Sequence, residues 1–238
     1  WRVHNVGCPG VDRVLATKLY EREETCARLG TGGAFVLVAY QAATLSEDAI
    51  GEAQILLDYL ESTGDFVVFT TLNPDPYSMH IQEMFTQFAK RRGVIIDMPQ
   101  RLYLSAMKHC EYMIGNSSSG LYEAPTLKTR FVNFGSRQRG RPMPNNTVAC
   151  AGSVDSIKGA VVWANSIIKD NIINPYGDGT AAEKIKKVMT AMALTQRHIL
   201  LTKVQHDVFA SMGKGSQSNG LGSVPERRFG KMDLQKFR

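Results

Sequence analysis

Short apolar runs alternating with longer mixed segments constrain this 238-residue chain more than any other feature. The runs are AFVLVAY (34–40), DFVVFTT (65–71), GVIIDM (93–98), YMIG (112–115), RFVNF (130–134) and TVACAG (147–152). They are rich in Val, Ile and Phe and apolar throughout, the pattern of strands buried on both faces. Between them, 46–62, 78–92, 100–110 and 118–127 carry helical spacing, as where Ile50, Ala53, Leu57 and Leu60 fall on one side. Ser46 is the expected cap of the first of these helices, with Glu47 and Asp48 in its first turn.

Alternation at this pitch predicts an α/β domain: a doubly wound parallel sheet, with a leading helix over 11–29 and one or two trailing helices over 181–212. Residues 1–212 form that domain on this reading. Residues 213–238 are Gly/Ser-rich and then basic, too poor in apolar side chains for a core of their own, and are expected to be ordered only against a partner.

Composition narrows the class. With 43% hydrophobic and 21% charged residues the chain reads as a globular domain, and no apolar run approaches the roughly 18 residues that would span a membrane. Cys8, Cys26, Cys110 and Cys150 are scattered without a C-x-x-C pair, which argues for free thiols in a reducing compartment, cytoplasmic or an organellar matrix, and against zinc. The chain opens on Trp1 rather than Met, so it reads as a processed or truncated product from which any N-terminal targeting segment could already be gone. The net charge of +6 is concentrated in 88–93, 135–141 and the tail. It permits attraction to phosphates and nucleic acid, but no motif for sequence-specific nucleic-acid reading accompanies it.

One stretch asks for a function: MIGNSSSGLYEAP, residues 113–125. It follows an apolar run, so Asn116, Ser117, Ser118 and Ser119 stand beyond the carboxyl end of a strand, where ligands of doubly wound sheets gather. Backbone N–H groups and serine hydroxyls opening a helix make a phosphate cradle, and Glu123 lies within reach of a ribose diol. The plainer alternative is that Asn116 or a serine caps the helix and Glu123 is a solvated charge. The next strand delivers Arg137, Arg139 and Arg141 to the same edge, and guanidinium forks suit a diphosphate.

Together with these motifs, GCPGVDRV (7–14), LNPD (72–75), VNFGSRQRGR (132–141) and NPYGDGTAAEKI (174–185) occur in the order seen in the UDP-N-acetylglucosamine 2-epimerases, particularly the hydrolysing branch, which the chain resembles. The resemblance implies the second Rossmann-like domain of a two-domain GT-B-type fold. It also implies UDP or UDP-N-acetylglucosamine as ligand, with no cofactor. Ser117 and Ser118 match diphosphate contacts and Glu123 the ribose contact. Arg137, Asn73 and Asn116 match further positions around UDP, although Asn73 beside Pro74 and Asp75 is equally a turn former.

Two departures bear on activity. The family carries His-Pro after the first core strand, and here Gln41-Ala42-Ala43 follows it; glutamine can donate a hydrogen bond but carries neither proton nor charge. His4, His80, His109, His198 and His206 offer no evident substitute. The family's first domain, source of most of its acid–base carboxylates, has no counterpart before Trp1, so no catalytic residue is expected within this chain. Three readings stay open. The chain is the UDP-holding half of an epimerase completed by a first domain; or a non-catalytic subunit of a larger assembly, ribonucleoprotein or organellar; or a stand-alone UDP-binding module.

Overall fold

The computed structural model describes residues 3–43 and 48–193, and a compact unit spans Trp1–Met192. Six strands, β1 (Val36–Ala39), β2 (Val67–Thr70), β3 (Gly93–Ile96), β4 (Met113–Gly115), β5 (Phe131–Phe134) and β6 (Thr147–Cys150), form one sheet. Its order is β3-β2-β1-β4-β5-β6 and every pairing is parallel. The chain works outward from β1 to β3, then returns to lay β4 against the free side of β1. That reversal opens the sheet's switch point between β1 and β4.

Both faces of the sheet are covered, which is why the strands are apolar without alternation. Val36, Val38, Val67, Phe69, Ile114, Val132 and Phe134 pack on α3 (Ala49–Thr63), α4 (Ser78–Arg92) and α7 (Val154–Ser166). Leu37, Ala39, Val68, Met113 and Phe131 pack on the other side, against α2 (Arg22–Leu29) and α5 (Gln100–His109). Lys90, Arg91 and Arg92 close α4, where the helix dipole favours cations.

The expected strands and the helices over 78–92 and 100–110 are present. Three expectations need correction. The leading helix is two: α1 (Pro9–Ala16) and α2, separated where Thr17 turns to extended backbone. Tertiary anchoring holds the break open. The Tyr20 amide donates to Ser105 Oγ (2.9 Å), and its ring lies under the guanidinium groups of Arg28 and Arg101. Helix α3 starts at Ala49 rather than 46, capped by Asp48, whose carboxylate accepts from the Gly51 amide at 2.8 Å; Ser46 and Glu47 lie outside the described residues. The helix over 118–127 shrinks to α6 (Ser119–Tyr122), four residues followed by turns to Lys128. Pro125 disfavours helical backbone at Ala124, and Lys128 sits in the left-handed region at φ 58°. Helix α8 (Ala181–Ala193) opens the trailing segment; the rest of 181–212, the tail 213–238, His198 and His206 lie outside the described residues.

Candidate functional site

The switch point is built by close backbone approach. Gly115 ends β4 at φ 139°, and a Cβ there would stand 2.2 Å from the Ala39 carbonyl oxygen. Without one, the Asn116 and Ser117 amides both donate to that oxygen, at 3.1 Å each. The Asn116 side chain then turns back across the sheet. Its Oδ1 accepts from the Gln41 amide (2.7 Å) and its Nδ2 donates to the Gln41 carbonyl (2.8 Å). Gln41 passes the connection on: Oε1 accepts from the Asn73 amide (2.6 Å), and Nε2 donates to the Thr71 carbonyl (3.4 Å). From the far side, Arg137 Nη1 (3.2 Å) and Gln138 Nε2 (2.6 Å) donate to the Asn116 carbonyl. The loops after β1, β2, β4 and β5 are thereby tied to one another.

Above these strand ends lies a cavity of about 220 Å³, whose lining includes Gln41, Thr71, Asp97, Tyr103, Ser117 and Ser119. Its wall carries a row of hydroxyls. Tyr103 Oη is 2.5 Å from Ser119 Oγ, which is 2.9 Å from Ser117 Oγ. The Ser119 amide also donates to Ser117 Oγ, at 3.4 Å. Burial raises the proton affinity of the Tyr103 phenol, outweighing the Ser119 hydrogen bond. Glu123, half-buried just past α6, has its carboxyl held above the usual carboxylate range by desolvation, and it makes no side-chain hydrogen bond among the described residues.

The predicted residues fall into distinct positions. Ser117 lines the cavity; Ser118 does not, and its neighbour Ser119 does. Arg137 is brought to the switch point by its bond to Asn116. The Asn116 amide is fully buried and committed to Gln41, so its side chain is spent within the protein. Asn73 is exposed in a turn, its carbonyl accepting from the Asp75 amide at 2.7 Å. Arg139 is exposed, and Arg141 lies over the Tyr122 ring. A four-residue helix has too few aligned peptides for the dipole expected of a longer one, so what the turn offers an anion is donors: the Ser117 hydroxyl and the Ser118 amide, which pairs with nothing among the described residues. Tyr103 and Asp97 were not legible as site residues from sequence, and Ser119 was legible only as one serine of the turn. The available signal was positional, since Asp97 follows β3 directly and Tyr103 occupies the first turn of the next helix, at the same sheet edge. Among the described residues, no group of three or more His, Cys, Asp or Glu is placed to hold a metal ion.

Comparison with known proteins gives this arrangement relatives. Residues 1–190 match the family model described as UDP-N-acetylglucosamine 2-epimerase. Over 146 residues the chain is 33% identical to the polysialic acid biosynthesis protein P7 of Escherichia coli, covering 58% of this chain and 37% of that one. It is 25% identical over 197 residues to the hydrolysing UDP-N,N'-diacetylbacillosamine 2-epimerase of Legionella pneumophila, covering 81% and 52%. The chain thus spans about a third to a half of the length of these curated relatives. Among solved structures, the Methanocaldococcus jannaschii UDP-GlcNAc 2-epimerase, crystallised with UDP-GlcNAc and UDP, superposes with a TM-score of 0.60. At 17% identity, over 78% of this chain and 54% of that one, the likeness is one of fold.

Proposed function

The chain belongs to the UDP-N-acetylglucosamine 2-epimerase family, and from that premise we propose that its switch point is the UDP-holding half of an epimerase-type site. The observation that carries this reading is the Ser117 hydroxyl on the wall of a cavity at the switch point, with Arg137 bonded to the carbonyl of the preceding residue, Asn116. In this reading Ser117 and the Ser118 amide donate to the diphosphate, Arg137 supplies positive charge, and Glu123 accepts from the ribose diol. The ligand is UDP or UDP-N-acetylglucosamine. Elimination of UDP followed by hydration to N-acetylmannosamine needs a positioned base to take the C2 proton. We assign that step to groups supplied by a first domain, and assign this chain the work of holding the leaving group.

A second reading, a non-catalytic subunit of a larger assembly, is favoured by one observation. The Gln41 amide, where the resemblance expects a histidine facing the diphosphate, has both its oxygen and its nitrogen bonded to the loop after β2. Such a residue serves the scaffold.

Titration of the purified chain with UDP, by calorimetry or NMR, tests the proposal. A half-site with one ligand face in water should bind with a dissociation constant on the order of a millimolar or somewhat tighter, about 4 to 5 kcal/mol. Replacing Ser117 by alanine removes the hydroxyl donor and keeps the Ser118 amide. It should weaken binding roughly ten- to a hundredfold, and from a millimolar start carry it beyond detection, because a donor to a charged group is worth about 1.5 to 3 kcal/mol. The chain alone should release no UDP from UDP-N-acetylglucosamine. Binding untouched by Ser117→Ala would reduce the serines to a turn, and no UDP binding at all would leave only the scaffold reading.

A further inference from the structure

The hydroxyl row on the cavity wall has a direction, and that direction bears on what Ser117 can do. Building on the UDP reading above, we propose that Tyr103 is a positioning residue that orients the Ser119 and Ser117 hydroxyls so that Ser117 faces the ligand as a hydrogen-bond donor.

Three oxygens stand in sequence, Tyr103 Oη, Ser119 Oγ and Ser117 Oγ, separated by 2.5 and 2.9 Å. Each carries one proton, so two contacts consume two protons and leave one over. Which end keeps the spare proton depends on which way the row runs. A phenol is more acidic than an alkyl alcohol, and so the stronger donor and the poorer acceptor. Tyr103 therefore donates to Ser119, and Ser119 to Ser117. The phenol keeps its proton throughout the neutral range because burial raises its proton affinity.

The Ser119 amide fixes the same polarity from the other end. Its N–H also points at Ser117 Oγ, so that oxygen is addressed by two donors. With its lone pairs so engaged, Ser117 has only its proton to offer, and the cavity that it lines is where that proton can go. A diphosphate oxygen accepts and never donates, so a hydroxyl held in the donor sense binds it without first reorganising. Reversing the row would spend the Ser117 proton on Ser119 and remove the donor from the turn.

Tyr103→Phe deletes the first hydroxyl and keeps the ring. Ser119→Ala breaks the same row without touching the ring, which covers the case in which the phenylalanine variant fails to fold. Each variant and the unmodified chain should be titrated with UDP, following the ³¹P resonances. Both substitutions should weaken UDP roughly three- to tenfold, the range for loss of one neutral hydrogen bond. Both should also move the ³¹P shifts extrapolated to saturation toward those of free UDP, because the donor is less well aimed. A packing defect would lower affinity and leave the saturated shifts in place. Unchanged affinity, or lowered affinity with unchanged saturated shifts, overturns the relay while leaving the UDP site standing. Failure of the unmodified chain to bind UDP overturns both.

Discussion

Glu123 is a carboxylate in a poor place. Desolvation favours its protonated form, and no side-chain hydrogen bond among the described residues offsets that. A carboxyl whose proton affinity is raised by folding stabilises the fold below the ordinary carboxylate range and loses that contribution as pH climbs through the raised value. Glu123→Gln should therefore raise the melting temperature at neutral pH, with the gain shrinking toward zero in acid; melts of both proteins across that range check it, and a pH-independent difference would contradict it. The same substitution should weaken UDP roughly tenfold or more, since ribose hydroxyls would lose a charged acceptor. Such a residue was legible in the sequence as a ligand candidate, and so was the serine turn. Its internal assignments were not. Which of three adjacent hydroxyls faces the cavity depends on backbone angles at the turn, and the Asn116 amide is occupied by Gln41, 75 positions away in sequence.

Elements were easier to read than residues, for a reason of scale. The strands announce themselves by uninterrupted apolar runs, the four inner ones buried on both faces and the edge strands β3 and β6 only partly so, and α4 by its apolar spacing and basic end. Helix α7 escaped, although Ser153 caps it and Ile157, Ala160 and Ala164 form its buried stripe, because its apolar positions Val161, Val162 and Trp163 blur the pattern. The split between α1 and α2 was invisible, since the bonds that hold it reach to α5. The start of α8 depends on another such long reach. Asp12 in α1 accepts from the Ala181 and Ala182 amides, at 3.1 and 2.7 Å, and so caps a helix near the other end of the unit. Asp12→Ala should cost about 1 to 2 kcal/mol, as for loss of an N-cap, with Asp12→Asn between the two. Urea unfolding measures this, and identical midpoints for all three proteins would show the cap to be idle.

At the scale of the molecule, a doubly wound sheet normally leaves its switch point as an open crevice with loops free on either side. Here the crevice is laced. The Gln41, Asn116 and Ser117 amides are bonded across it and the Asn73 amide is bonded to Gln41 beside it, and all four residues lie beyond the ends of the strands. Loops ordinarily exchange their amide hydrogens through shallow local openings, at a small fraction of the global unfolding free energy. These should behave otherwise. In deuterated water, the Gln41, Asn116 and Ser117 amides should be retained about as long as those in the middle of β1. Asn116→Ala should release Gln41 and Asn73 together, as one cooperative unit, while leaving α3 and α4 protected. Rapid exchange at Gln41 in the unmodified chain would contradict this. The lacing also has a kinetic consequence: a ligand meeting this edge finds the loops already set, and its arrival should be limited by encounter, with no slow ordering phase to follow.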